Sequence, residues 1–181
     1  MTKPKGFDAK LESSIQLLKR TERLALLYDA DNGFYLAFSG GKDSQALYHL
    51  AVLAQVKFKG HMNLTSVDPP EVIRFVKHNY PDIELHKPKD SIYNIARTKK
   101  YLLPTRLFRW CCSELKEGGG ANTVCLTGVR RAESINRAKR NPVEVSRHLF
   151  SGNLEEFEKW SKDRISQKHQ SINQSRPVRR T

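Results

Sequence analysis

The chain of 181 residues has only three cysteines, Cys111, Cys112 and Cys125, and two of them are adjacent. That count excludes a disulfide framework, and neighbouring cysteines rarely close an unstrained bridge. A reducing cytoplasm is the expected compartment. Long apolar runs are also missing. None approaches the roughly 18 residues of a membrane span, and the mean hydropathy is −0.62, so no membrane partner is expected. The N-terminus, Met1-Thr-Lys-Pro-Lys-Gly6, lacks the apolar stretch of a secretory signal. There is no internal repeat. Acidic side chains are scarce, 19 against 32 Lys and Arg, leaving a net charge of +13.

The surplus charge is unevenly spread. Residues 1–96 carry a net +2, residues 97–147 carry +8, residues 148–161 carry −2 and residues 162–181 carry +5. Basic blocks of this kind favour an anionic partner, a polyphosphate or a nucleic acid. A solvated basic face is the competing reading. The length suits one domain with a tail.

The spacing of Leu11, Ile15, Leu18, Ala25 and Leu26 predicts a helix from Phe7 to Tyr28, with Asp8 as its cap. Asp31-Asn32-Gly33 marks a turn. Phe34 to Phe38 reads as a buried strand, and Asp43 to Gln55 as the helix after it. Phe58 to Val67 is a second strand. Pro69-Pro70 opens a helix to about Asn79, Ile83 to His86 is a short strand, and Ser91 caps a helix to about Lys100. Cys111 to Glu117 is helical and stops at Gly118-Gly119-Gly120. Thr123 to Val129 is a further β-rich run, and Leu154 to Trp160 a short helix. Strands alternating with helices predict a parallel α/β sheet. The organisation expected is an N-terminal helix (1–30), an α/β domain (31–150), and a short helix with a mobile basic tail (151–181).

Phe38-Ser39-Gly40-Gly41-Lys42-Asp43-Ser44 lies where the first strand becomes a helix. Two glycines allow a tight turn and let an anion approach the backbone N–H groups. The helix start adds unpaired donors and a positive dipole end. Lys42 adds a full charge, and Ser39 and Ser44 add hydroxyls. A Walker A loop is excluded, since Leu36 stands where its first glycine would be and Asp43 where its Ser or Thr would be.

This stretch resembles the pyrophosphate loop of the ATP-pyrophosphatase (adenine nucleotide α-hydrolase) superfamily. Three further stretches resemble its phosphoadenosine phosphosulfate reductase branch: Val67-Asp68-Pro69-Pro70-Glu71, Arg109-Trp110-Cys111-Cys112-Ser113-Glu114-Leu115-Lys116, and Thr127-Gly128-Val129-Arg130-Arg131-Ala132-Glu133-Ser134. The four occur in family order over about residues 31–140. The resemblance implies a doubly wound, Rossmann-like parallel sheet in the α/β domain, with an adenine nucleotide, ATP or a sulfonucleotide, across its carboxyl edge. Ser39, Gly40, Gly41, Lys42, Asp43 and Ser44 would hold its phosphate or sulfate. Gly128, Arg130, Arg131 and Glu133 would stand beside it, the arginines suited to bidentate oxyanion contacts. Lys42, Arg130 and Arg131 are the candidates for catalytic charge stabilisation. Asp68, just past a strand, is a candidate for ribose or Mg²⁺. Its competing role is a helix cap.

Some reductases of the family hold an iron–sulfur cluster on a cysteine pair plus a Cys-x-x-Cys. With three cysteines and no such motif, a complete cluster within the chain is not expected. Family reductases also use a cysteine near the C-terminus as nucleophile, and no cysteine follows Cys125. Cys125 itself reads as a core residue. The six histidines show no metal spacing, and the sequence names no metal ligand set. Three functions stay open: an enzyme acting on ATP or a sulfonucleotide, a nucleic-acid-associated sulfur-modification module, and a non-catalytic partner subunit. The block 97–147, with Tyr101, Phe108 and Trp110 interleaved, motivates the second. The basic tail is the candidate contact for a nucleic acid or protein partner.

Overall fold

A computed structural model describes residues 6–105, 108–116 and 118–144. The N-terminal helix, α1 (Phe7–Tyr28), spans the predicted residues, with Leu18 and Ala25 buried. Asp8 is not its cap. Gly6, left-handed at φ 78°, precedes the helix without a side-chain cap, and Asp8 sits inside the first turn, where its charge suits the dipole. After α1 the Asp29 carboxylate accepts the Asn32 N–H at 2.8 Å and fixes the turn. Gly33 completes it at φ +71°, where an added Cβ would stand 2.2 Å from the Lys57 carbonyl oxygen. Only glycine fits there.

The remaining elements are β1 (Phe34–Ala37), α2 (Lys42–Ala54), β2 (Phe58–Asn63), α3 (Pro70–Asn79), β3 (Glu84–His86), α4 (Ile92–Lys99), α5 (Trp110–Leu115), β4 (Cys125–Leu126), a 3-10 turn (Arg131–Glu133) and α6 (Ile135–Ala138). The four strands pair in parallel in the order β3-β2-β1-β4. The chain builds outward from β1 through α2 and α3, then crosses back to place β4 on the other side of β1. The connections leaving β1 and β4 therefore diverge, and a crevice opens at their carboxyl ends, the usual ligand position in such sheets.

Alternation along the strands divides the sheet into two faces. Phe34, Leu36, Phe38 and Met62 are buried with Leu18 and Ala25 of α1, Ala51 and Ala54 of α2, and Val76 of α3. Tyr35, His61, Asn63, Glu84 and His86 occupy the alternate positions. The end of α5 and the 118–120 glycines cover part of that side: the Asn63 amide donates to the Lys116 carbonyl at 3.2 Å. A Cβ on Gly119 would stand 2.5 Å from the Tyr35 hydroxyl. Helices thus flank both faces, as the doubly wound reading expects. A smaller cluster joins Ile92 and Ala96 of α4 to Trp110 of α5, whose indole N–H donates to the Leu102 carbonyl at 2.9 Å.

Several expected bounds are corrected. β2 ends at Asn63, not Val67, because the Thr65 N–H turns to the Asp68 carboxylate and Ser66 adopts φ 64°. The β-rich run 123–129 supplies only two strand residues. Asn122 at φ 58° delays its start, and after Leu126 the chain turns off the sheet, with the Val129 N–H on the Thr127 carbonyl. α2 begins one residue early, at Lys42, and α5 runs from Trp110 to Leu115 rather than from Cys111 to Glu117. The helix expected at Leu154–Trp160 and the tail lie outside the described residues. Those described up to Pro142, α1 included, belong to one compact unit.

Candidate functional site

The site grows from the end of β1. The Phe38 N–H donates to the His61 carbonyl at 2.8 Å, the last ladder bond before the chain turns. Gly40 takes φ +73°, and a Cβ there would stand 3.0 Å from Val72 Cγ1 of α3, so the turn is packed from behind. Gly41 caps α2 with no side chain. The first N–H groups of α2, from Lys42 to Ser44, therefore have neither an intrahelical carbonyl nor a capping side chain, and the positive dipole end coincides with them.

The loop's hydroxyls hold the loop itself. Ser44 is buried, its Oγ donates to the Gly41 carbonyl at 2.8 Å, and it accepts the Ser39 N–H at 3.2 Å. Ser39 Oγ lies 3.2 Å from Ser44 Oγ. The Gln45 amide donates to the Gly40 carbonyl at 2.8 Å. The groups disposed to meet an anion are thus the backbone amides and the exposed Lys42.

The loop after β4 packs onto the same helix start. A Cβ on Gly128 would stand 3.0 Å from the Asp43 carbonyl oxygen and 3.1 Å from its carbon, so a larger residue would need the two backbones to part by a few tenths of an ångström. Arg130 Nε then lies 3.1 Å from Asp43 Oδ2, and its NH2 lies 3.3 Å from Glu133 Oε1. Arg137 pairs with the same Glu133 carboxylate. The structure thus brings Ser39–Ser44, Gly128, Arg130 and Glu133 together at the mouth of the crevice. The guanidinium of Arg130 is pre-positioned by two carboxylates and half-exposed. Arg131 follows it at the start of the 3-10 turn.

Asp68 is not brought into this group by any bond of its own: its carboxylate takes the Thr65 N–H. Nor does it cap α3, where Pro69 stands at the cap without a side-chain bond. The fixed φ of proline presets the first turn instead. Among the cysteines, Cys112 Sγ lies 3.4 Å from Arg109 NH2, and Cys111 packs on the Trp110 cluster. Burial pushes the Cys125 thiol up to about 11. Among the described residues the three cysteines do not converge on a common point, so they do not fit a four-thiolate cluster.

One constellation was missed by the sequence reading. His61, Glu84 and His86 place three potential ligand atoms within 4.8 Å of one another. They are invisible to a search for short histidine spacings, because 25 residues separate the two rings. The available signal was polar residues at period two in β2 and β3, which parallel pairing places on one face.

A parallel sheet with a glycine turn entering a helix at its switch point, and an arginine loop beside it, defines an α/β protein built to take an anionic ligand at its carboxyl edge. The chain belongs to the phosphoadenosine phosphosulfate reductase domain family, whose profile matches residues 33–167. Membership implies a nucleotide or sulfonucleotide ligand. No individual curated protein matches the chain. Among the described residues no helix is long and apolar enough to cross a membrane.

Proposed function

We propose that the chain binds an adenine nucleotide, ATP or a sulfonucleotide, in the crevice between β1 and β4 and acts at its phosphate or sulfate group. The observation that carries this reading is the packing of Gly128 on the first turn of α2, with Arg130 tied to Asp43. It supports one binding surface made of uncapped amides, an ammonium and a guanidinium. An oxyanion there would draw on backbone N–H groups at a helix N-terminus and compete with Asp43 and Glu133 for Arg130. Charge accumulating on a transferring phosphoryl or sulfuryl oxygen would be stabilised by donors already in place, which is the main contribution protein groups make to such chemistry.

Calorimetry with ATP and with a 3′-phosphorylated adenylyl sulfate tests it. Lys42→Ala should weaken binding by about ten- to a hundredfold, the worth of a charge-assisted contact. Gly41→Val is a second probe: a Cβ at that position meets only Ser39 Oγ, at 3.4 Å, so the fold accepts the substitution while the side chain crowds the anion. Unchanged affinity in both variants overturns the reading. Pyrophosphate release from ATP separates an enzyme from a non-catalytic subunit. The nucleic-acid alternative loses part of its support, because Trp110 is buried against Tyr101 at 5.2 Å between ring centroids and offers no stacking face.

A further inference from the structure

We propose that His61, Glu84 and His86 form a binding site for a divalent transition ion of the zinc class. His61 Nδ1 lies 2.8 Å from His86 Nε2, and 3.7 Å from Glu84 Oε2. Strand register produces this arrangement. His61 is the direct partner of Glu84, and Asn63 of His86, on adjacent parallel strands. All four therefore project from one face, and the donors stand on strands, which position ligands more firmly than loops do.

The donor set suits the ion. Two imidazoles and one carboxylate are a common three-ligand set for zinc, leaving a fourth position open. Tetrahedral coordination at the usual Zn–N distance of about 2.0–2.1 Å sets two nitrogens about 3.3 Å apart. The two rings would need to part by only about 0.5 Å from their present contact. In the metal-free protein the short contact requires one ring to donate to the other, and the ion would replace that shared proton.

The surroundings fit as well. Tyr35 stacks on His61 with ring centroids 4.1 Å apart and fixes its plane. Lys59 Nζ sits 2.8 Å from Glu84 Oε2 and holds the carboxylate on this face. A carboxylate has about four lone-pair sites, so lysine and ion can share it. The histidines line a cleft of about 370 Å³ with Tyr35, Asn63, Glu114 and the 118–120 glycines. The cleft gives an ion an entry path and leaves room for a water at the open position.

The site is tested with the full chain, tag-free and stripped by chelator, titrated with Zn²⁺ alone by calorimetry and with Co²⁺ by visible absorption. One equivalent should bind, and Co²⁺ should show the intense bands of tetrahedral nitrogen–oxygen coordination without thiolate charge transfer. His61→Gln, His86→Gln and Glu84→Gln should each weaken binding at least about tenfold. Glu84 is half-exposed on the edge strand, so its variant keeps the test valid if a histidine variant fails to fold. His78→Gln and a variant with all three cysteines changed to serine should bind as wild type does. Lys42→Ala should also bind the metal normally, which separates this site from the nucleotide reading. No binding by the wild-type chain, or equal binding by the Glu84 and His86 variants, overturns the proposal.

Discussion

The two faces of one sheet share strands and differ in nearly everything else. Phe34 and Leu36 are fully buried against α1 and α2. Their neighbours in sequence, Tyr35 and Ala37, face the side on which His61, Glu84 and His86 gather. A shift of one residue in β1 or β2 would exchange the two sets. Pairing register is therefore set by the apolar face, and the polar face is placed as a by-product. The lesson is that aliphatic residues here specify where the titratable ones go, without touching them.

Substitutions should break this contrast unequally. Leu36→Ala removes a wholly buried side chain and should cost about 2–5 kcal/mol in urea unfolding. Tyr35→Phe, one position earlier on the half-covered face, should cost about 1 kcal/mol, the net worth of a hydroxyl contact. Equal losses at the two positions would refute the division.

The faces should also titrate at opposite ends of the scale. Tyr48 packs on the apolar side against Phe38 and Phe58. Burial, with its hydrogen bond to Asp82, pushes its pKa up to about 12. Its folded form holds a proton that the unfolded chain loses first, so stability is complete below pH 10 and falls as pH rises toward 12. His61 behaves inversely in the metal-free protein. Its ordinary value of 6.5 is lowered by burial and by His86, so the unfolded chain takes up the proton first and stability falls as pH drops below that value. Glu84 opposes this fall and Lys59 adds to it. Melting temperatures across pH should lose the alkaline slope in Tyr48→Phe and the acidic slope in His61→Gln.

The smallest effect concerns β4. With its thiol pushed to about 11, Cys125 holds almost no thiolate near neutrality and should alkylate more slowly than a free cysteine would. Mass spectrometry of the iodoacetamide-treated native chain checks this. Modification of Cys125 at the rate found in the unfolded chain would contradict it.

Much of this arrangement was legible in the sequence where local physics decides. The α1 period, the proline start of α3 and the Ser91 cap all act within a few residues, and the structure follows them. The loop at Ser39–Ser44 was also legible, since a strand, two glycines and a helix are consecutive. What was not legible depends on pairing. The Thr123–Val129 run has strand propensity throughout, yet only Cys125 and Leu126 find partners on β1. Gly128 is taken by the start of α2 instead. Asp68 looked like a cap or a ligand; it caps no helix, and its carboxylate braces a local turn through the Thr65 N–H. Trp110 sits in a basic stretch that suggested an exposed platform, but α4 buries it. His61 and His86 meet only because β2 and β3 are adjacent, a fact of topology.

The brevity of β4 has a mechanical consequence. Two residue pairs tie it to β1, and the segment from Thr127 to Ala138 is held through that tether, the packing of Gly128 on the start of α2 and the Arg130–Asp43 contact. An oxyanion gripped by both loops would act as an added crossbar between the sheet and this outer segment. Its binding free energy would then be spent partly on holding the segment in place, so ligand occupancy should be readable as slower amide exchange at Gly128–Glu133, well before any chemistry occurs.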